Sequence, residues 1–233
     1  SQEKRYEKAA QSMTQKPLEE EQIQLFFSDI EPLAASKVLV RLENETLSIG
    51  QRILSQGLQL TVRGQDKIGI IGPNGVGKST LLAKLHQLLS GKREISLGFM
   101  PQDYQETLQL DLSPVEFLSQ TGHKEEIQKI QSHLASLNFS YPEMHHQIHS
   151  LSGGQQGKLL LLNLVLRKPN FLLLDEPTRN FSPTSQPEIR KLFANYSGGL
   201  VTVSHDRRFL KEVCTSIYSL TEHGLEVVDL QDL

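Results

Sequence analysis

The feature that most constrains the fold of this chain is a glycine-rich turn that follows a short apolar run. Residues 72–79 read GPNGVGKS. The run before the turn, 67–71, has the composition of a buried strand, and in the run after it, 78–89, leucines recur on one helical face. A strand, a glycine turn and a helix in this order indicate an α/β fold, with a sheet covered by helices.

The same turn matches the phosphate-binding pattern G-x-x-x-x-G-K-[S/T] at every fixed position. Its glycines let successive backbone N–H groups face a phosphate, and the N-terminus of the following helix adds partial positive charge. Lys78 is expected to reach the β- and γ-phosphates of a nucleotide, and the Ser79 hydroxyl to coordinate Mg²⁺. The predicted nucleotide-binding residues of the turn are Gly72, Pro73, Asn74, Gly75, Val76, Gly77, Lys78, Ser79 and Thr80.

A strand that ends in two acidic residues is expected to complete the phosphate site. Residues 171–176 read FLLLDE, an apolar strand that ends in two acids. Asp175 is expected to hold Mg²⁺ through water, and Glu176 to act as the general base for the attacking water. Ordinary surface charge is the alternative, and the apolar character of the strand disfavours it.

Three further segments have weaker signals when each is taken alone. Residues 151–155 read LSGGQ, which places Ser152 and two glycines at a helix start suited to an anion, or to a common N-cap. Gln102 can contact Mg²⁺ or the attacking water, or be surface polarity. His205 follows an apolar strand and can hydrogen-bond a γ-phosphate, or play a structural part.

The order of elements divides the chain into a charged start and an α/β body. Residues 1–21 contain no glycine and mix acidic with basic side chains, which favours an exposed helix or connector. Short β-rich runs at 38–42, 47–49, 53–54 and 58–62 follow, and the alternation at 58–62 predicts a half-buried strand in an antiparallel layer. Strands and helices then alternate to about residue 220, as in a parallel sheet.

Composition excludes several classes of protein. Lysine and arginine total 24 against 27 aspartates and glutamates, so the chain has no global attraction to nucleic acid or membranes. The single cysteine, Cys214, rules out an internal disulfide framework and fits a reducing cytosol. No apolar run approaches the ~20 residues of a membrane span, so we expect a cytoplasmic protein without stable membrane insertion.

The motifs occur in the order GPNGVGKST, Gln102, LSGGQ, FLLLDEP and SHDR, and this order over about residues 38–220 resembles an ATP-binding cassette (ABC) ATPase. The resemblance implies a P-loop NTPase fold of ABC type, with a parallel core sheet, an antiparallel β layer and a helical signature subdomain at about 103–168. It implies ATP and Mg²⁺ as cofactors, with metal ligands Ser79, Gln102 and Asp175 and catalytic residues Glu176, His205 and Gln102.

The same resemblance implies two cassettes that close head to tail around two ATP molecules. In this family the LSGGQ segment of one cassette acts on the ATP that the phosphate loop of the other holds. The residues that would act in this way on the partner's ATP are Ser152, Gly153, Gly154 and Gln155.

Residues 175–210 are similar to the C-terminal cassette of the ABC-F group, soluble two-cassette ATPases that act on ribosomes. Residues 1–36 would then be the helical, partly exposed tail of the linker between cassettes, and 37–233 the second cassette. The implied partners are the first cassette of the same polypeptide, the ribosome and tRNA, in translation or in antibiotic resistance. The isolated chain would hydrolyse ATP slowly, as a monomer or as a homodimer with ATP.

Two other functions remain open. The ATP-binding subunit of an ABC membrane transporter has the same motifs. An ATP-binding switch without turnover is disfavoured by the presence of Glu176.

The chain departs from the ABC-F pattern at two places. The usual DEPTNHLD run is DEPTRNFS here, so that Arg179, Asn180 and Phe181 are atypical and Ser182 replaces an interface aspartate. We expect altered coupling between the two ATP sites. Where an aromatic ring often stacks on adenine, the chain has Ile49, so we expect weaker base contact and looser nucleotide selectivity.

Overall fold

A computed structural model of the chain describes residues 23–233. The predicted linker tail therefore lies largely outside the described residues, at 1–22. Its described part, 23–36, contains no helix and ends in a turn at 35–36, which corrects the helical prediction there. Ile23 and Leu25 are buried while Gln24 and Phe26 are exposed. This alternation has the period of extended chain rather than of a helix.

A two-stranded antiparallel sheet precedes the main sheet. Strand β1 (Val38–Ile49) pairs with β2 (Arg52–Arg63) in a hairpin that turns at Gly50. The four short runs of the sequence are thus two long strands. Register shifts between Leu42 and Glu45 carry the pairing through the polar residues that interrupt the hydrophobic pattern. The predicted antiparallel layer is confirmed.

The main sheet has six strands in the order β4-β5-β6-β3-β7-β8. Every neighbouring pair is parallel except β7 with β8. The strands are β3 (Lys67–Ile71), β4 (Leu97–Met100), β5 (Phe171–Asp175), β6 (Gly199–Val203), β7 (Ser216–Thr221) and β8 (Gly224–Val228). β5 and β6 are buried along their whole length, as expected for central strands of a parallel sheet.

Seven α-helices connect and cover these strands in the described part. They are α1 (Lys78–Leu89), α2 (Pro114–Leu118), α3 (Lys124–Ser136), α4 (Tyr141–His145), α5 (Gly153–Arg167), α6 (Gln186–Ala194) and α7 (Arg207–Val213). Capping boxes begin α2, α4 and α5, at Ser113, Ser140 and Ser152. Within residues 23–233, no helix combines the length and apolar character that a membrane span requires.

The core lies on both faces of the main sheet. Phe171 and Leu173 of β5 pack with α1 and the β1–β2 hairpin, whereas Leu172 and Leu174 pack with α5 and α6. Because β5 is packed on both faces, its position in the sheet is fixed, and Asp175 at its end lies at the carboxyl edge of the sheet. The start of α1 lies at the same edge, directly after β3.

Candidate functional site

A cavity of about 780 Å³ lies at the carboxyl ends of β3, β5 and β6. This edge is where parallel α/β sheets bind ligands, because loops and helix N-termini converge there. The predicted residues that line it are Ile49, Asn74, Gly75, Gly77, Lys78, Ser79, Thr80, Gln102, Asp175, Glu176 and His205. Gly72, Pro73 and Val76 belong to the same glycine turn but do not line the cavity.

The glycine turn adopts a backbone that other residues avoid. Gly72, Gly75 and Gly77 have φ angles of 148°, 80° and 109°. A Cβ on Gly72 would lie 2.7 Å from the Leu220 carbonyl oxygen, a contact with backbone that cannot move away. The backbone course of this turn therefore requires glycine at these positions.

Positive charge converges on the inside of the turn. Lys78 Nζ donates hydrogen bonds to the carbonyl oxygens of Gly72, at 2.7 Å, and Pro73, at 2.9 Å. Helix α1 begins there without a side-chain cap and without an acidic residue in its first turn. Its first N–H groups are thus open to an anion, as phosphate binding requires.

Asp175 has the environment of a metal ligand. Its carboxylate is buried, and within the described residues its Oδ1 atom has no hydrogen-bond partner. Burial raises the pKa of Asp175, and a hydrogen bond from the Ser79 hydroxyl and the charges of Lys78 and Arg179 oppose the rise. An unpaired buried carboxylate oxygen beside a hydroxyl fits Mg²⁺, which prefers oxygen ligands. Gln102 lines the same cavity.

Glu176 lies beside Asp175 in a strained conformation. Its φ of 51° is left-handed, which is uncommon for a residue other than glycine and typical of functional sites. Oε2 accepts a hydrogen bond from the His205 backbone N–H at 3.2 Å, and Oε1 lies 3.4 Å from His205 Nε2. The pKa of Glu176 is raised, because the effect of burial exceeds the opposing effect of the hydrogen bond from His205. A carboxylate of raised pKa at a cavity wall suits a general base.

The LSGGQ segment lies outside this cavity. Ser152 Oγ accepts a hydrogen bond from the Gln155 N–H at 3.2 Å, and Gln155 Oε1 accepts one from the Ser152 N–H at 3.0 Å. No neighbouring atom would come within 4 Å of a Cβ on Gly153, and on Gly154 only the Asn180 carbonyl oxygen would, at 3.9 Å. The segment is therefore an open helix N-terminus. The structure does not bring it to the phosphate turn of the same chain.

Five lining residues lie outside the sequence prediction of the site. They are Leu54, Thr178, Arg179, Val203 and Asp206. Leu54 follows Ile49 across the β1–β2 turn, and a predicted hairpin there could have suggested it. Thr178 Oγ1 donates to Asp206 Oδ2 at 3.2 Å, a link between two loops that the sequence does not signal. Arg179 was singled out only as a departure from a pattern.

The unusual DEPTRNFS run packs onto the helix that LSGGQ begins. Phe181 is buried, and its Cζ lies 2.8 Å from where a Cβ on Gly157 would be. Ser182 Oγ is hydrogen-bonded within its own turn, to Thr184 Oγ1 at 2.9 Å and Ser185 Oγ at 3.0 Å. The turn after Glu176 is therefore held against α5 by an aromatic contact.

Known protein sequences that are similar to this chain are ATP-binding proteins and ABC transporters by name. The family model described as "ABC transporter" matches residues 55–179. Probable ATP-binding protein YheS of Escherichia coli (strain K12) is 31% identical over 210 residues, 87% of this chain and 33% of YheS. ABC transporter F family member 2 of Arabidopsis thaliana is 27% identical over 234 residues, 97% of this chain and 34% of that protein. The chain thus spans about a third of the length of these relatives.

Solved structures agree on the fold. The dimeric structure of a post-hydrolysis state of the ATP-binding cassette MJ0796, bound to ADP and Pi, has a TM-score of 0.67 at 20% identity and covers 82% of this chain and 98% of that one. A bacterial Atm1-family ABC exporter with ATP bound has a TM-score of 0.68 at 17% identity, covering 88% and 41%.

These likenesses confirm the predicted α/β fold with its parallel sheet and added antiparallel layer. Together with the family match and the phosphate cavity, they place the chain: it belongs to the ABC transporter family and is an ATPase domain of the ATP-binding cassette type.

Proposed function

We propose that this chain is an ABC-F cassette that hydrolyses Mg-ATP together with a second cassette, and that the longer protein acts on the ribosome. The observation that carries the catalytic part is the convergence of Lys78, Ser79, Asp175 and Glu176 on one cavity, with a buried oxygen of Asp175 unpaired within the described residues. This arrangement supports the metal and catalytic roles that the sequence predicted.

The residues of the cavity divide the work of phosphoryl transfer. The glycine turn and Lys78 would hold the β- and γ-phosphates, while Ser79, Asp175 and Gln102 would hold the metal. Mg²⁺, when bound, neutralises part of the phosphate charge and fixes the phosphate oxygens in position. Glu176 orients the attacking water and accepts its proton. His205, whose Nε2 lies 3.4 Å from Glu176 Oε1, would hydrogen-bond the terminal phosphate.

The separation of LSGGQ from the phosphate turn supports a second cassette as the partner. Ser152, Gly153, Gly154 and Gln155 form an open helix N-terminus that a nucleotide held by another cassette can approach. Both MJ0796 structures are dimeric. Alone, the chain would be a monomer, or a homodimer when ATP is present, with slow turnover.

The role of Glu176 has a direct test in this chain. Glu176→Gln removes the base without changing the shape of the side chain, so we expect ATP hydrolysis to fall by about 100-fold or more while ATP binding persists. The exposed Glu226 on β8 provides a matched control, Glu226→Gln, with unchanged turnover. Undiminished hydrolysis by Glu176→Gln would overturn the assignment.

The ribosome is proposed as the target because the 175–210 segment is similar to ABC-F cassettes and a relative carries the F-family name. ABC-F proteins are cytoplasmic, either translation factors or antibiotic-resistance proteins. The rival proposal, the ATP-binding subunit of a membrane transporter, is supported by the description of the family model. The exporter structure, at 17% identity, is similar in fold alone.

Sedimentation of the full-length protein separates the two. Glu176 and its counterpart in the first cassette are both changed to Gln, and a cell lysate is run through a sucrose gradient. ATP-dependent comigration with ribosomes supports the ABC-F proposal. Recovery with membranes, and absence from ribosomes in the presence of ATP, would establish the transporter alternative instead.

A further inference from the structure

Arg179 occupies an unusual place at the wall of the phosphate cavity. It follows the segment that carries both carboxylates, and its backbone N–H donates to the Glu176 carbonyl oxygen at 3.1 Å. Its side chain is exposed and lines both the phosphate cavity and a second cavity of about 700 Å³ beside it. The wall shared by the two cavities also includes Ser79, Thr80, Gln102 and Asp175.

The guanidinium has no fixed partner in this arrangement. Arg179 forms no salt bridge and no side-chain hydrogen bond with any residue between 23 and 233, although its charge acts on Asp175. Lys78, which also lines the cavity, is hydrogen-bonded to two carbonyl oxygens of the glycine turn. Arg179 is thus the cation whose donors are available to a ligand.

The charge of the cavity gives this cation a task. Its wall carries three carboxylates, on Asp175, Glu176 and Asp206, against the basic side chains of Lys78 and Arg179. A triphosphate adds negative charge next to the carboxylates, and its terminal phosphate must lie closest to Asp175 and Glu176. A guanidinium offers planar paired donors that match phosphate oxygens.

We propose that Arg179 binds the terminal phosphate of the nucleoside triphosphate, as a second cationic contact beside Lys78. This inference rests on the proposed nucleotide function of the cavity and adds a residue that distinguishes triphosphate from diphosphate. Arg179, Gln102 and Asp175 line the second cavity, whereas Gly75, Gly77 and Lys78 line only the first. The guanidinium is therefore assigned to the γ-phosphate and not to the phosphates deeper in the glycine turn.

The test compares two nucleotides on matched variants of this chain. Arg179→Gln removes the charge, Arg179→Lys retains it without the planar donors, and Arg208→Gln removes an exposed charge on α7 away from the cavity. Dissociation constants are measured by calorimetry for a non-hydrolysable ATP analogue and for ADP, each with Mg²⁺. Thermal melts check that all variants are folded.

We expect Arg179→Gln to weaken binding of the ATP analogue by about tenfold, as for the loss of one charge-assisted hydrogen bond, and ADP binding by less than about twofold. Arg179→Lys should recover part of the loss, and Arg208→Gln should bind both nucleotides as the unmodified chain does. Equal losses for both nucleotides, or no loss for either, would overturn the proposal. If the unmodified chain binds neither nucleotide, the proposed nucleotide function itself fails.

Discussion

At the scale of single residues, the candidate site contains two carboxylates whose ionised forms are destabilised by burial. Asp175 and Glu176 are adjacent, largely buried carboxylates, and burial is the largest influence raising the pKa of each. A raised pKa means that folding favours the protonated form of each group. At neutral pH the ionised pair therefore lowers the stability of the folded chain. This is expected of carboxylates whose charge a bound cation would neutralise.

Asp175→Asn is therefore expected to raise the melting temperature of the chain at pH 7, by about 2–4 °C for a gain of ~1 kcal/mol. The sign follows from linkage. A group whose pKa is raised on folding contributes its stability below its unfolded pKa, near 3.8, and loses it as the pH rises through the folded value. The gain from Asn should thus be present at pH 7 and vanish below the ordinary carboxyl pKa.

Thermal melts between about pH 3 and pH 8 measure this dependence on both sides of the ordinary carboxyl pKa. Asp232→Asn, in the C-terminal turn away from the cavity, is the control and should follow the unmodified chain. A lower melting temperature for Asp175→Asn at pH 7 would show that Asp175 stabilises the fold, and would contradict the inference that its ionised carboxylate is destabilising.

A second prediction concerns the part of the cavity wall that the β1–β2 hairpin forms. Ile49 is 61% exposed and lines the cavity with Leu54, so the hairpin offers an aliphatic surface to a base. Such a surface makes no hydrogen bond that distinguishes adenine from guanine. We expect ATP and GTP to bind within about threefold of each other, and Ile49→Tyr to tighten binding of both by about threefold to tenfold through stacking.

Equilibrium binding of the two triphosphates measures both effects. Ile53→Tyr is the matched control, because Ile53 is also exposed on the hairpin, at 55%, but does not line the cavity. A strong preference for ATP in the unmodified chain would show that another group reads the base.

At the scale of elements, the contact between Phe181 and α5 ties the carboxylate turn to the LSGGQ helix. A Cβ on Gly157 would lie 2.8 Å from Phe181 Cζ and 3.0 Å from Tyr104 Oη. Tyr104 begins the turn that follows Gln102. Three segments of the site therefore meet at a position that has room only for glycine.

Gly157→Ala is expected to reduce the free energy of unfolding by about 1–3 kcal/mol, because the ring and the helix must move apart. Phe181→Leu removes ring atoms from the contact, so the double variant should recover part of the loss. Chemical denaturation of the single and double variants measures the coupling between the two positions. Gly153→Ala, where a Cβ meets no neighbouring atom, is the control. Additive effects of the two substitutions would contradict the inferred contact.

The elements that the sequence predicted well are those whose pattern is local. Helix α1, Lys78–Leu89, has the predicted bounds, and the capping box at Ser152 begins α5 as its residue type indicates. The strand β8 was missed, because Glu226 and the exposed Val227 give it no hydrophobic pattern. Its position depends on pairing with β7, which short-range patterns do not record.

The candidate site was predictable to the same degree and for the same reason. The phosphate turn and the acids after β5 are contiguous motifs, and the structure brings them to one cavity. The orientation of Arg179 and the Thr178–Asp206 link arise where separate loops meet. A sequence states which residues such loops contain but not which way their side chains face.

At the scale of the whole molecule, the segment before β1 is built into the domain. Ile23 and Leu25 are buried in the core cluster that contains α5 and α6, and the Phe27 ring lies 4.8 Å from that of Tyr196 and 6.0 Å from that of Phe193. Gln65 Nε2 donates to the Leu33 carbonyl oxygen at 2.8 Å. Residues 23–33 therefore strap the two faces of the sheet together, since Leu33 packs with the other cluster.

A strap of this kind links the stability of the domain to the chain that precedes it. Phe27→Ala should lower the free energy of unfolding by about 2–4 kcal/mol, because it removes an aromatic side chain that packs on two others. Phe26 next to it is 67% exposed, so Phe26→Ala should change stability by less than about 0.5 kcal/mol. Chemical denaturation of the two variants compares neighbouring positions on opposite sides of an extended chain. If both variants are equally stable, residues 23–27 are a connector that lies on the surface of the domain. If Phe27→Ala alone is destabilised, this segment is part of the core and supports α6, which follows the carboxylate turn of the site.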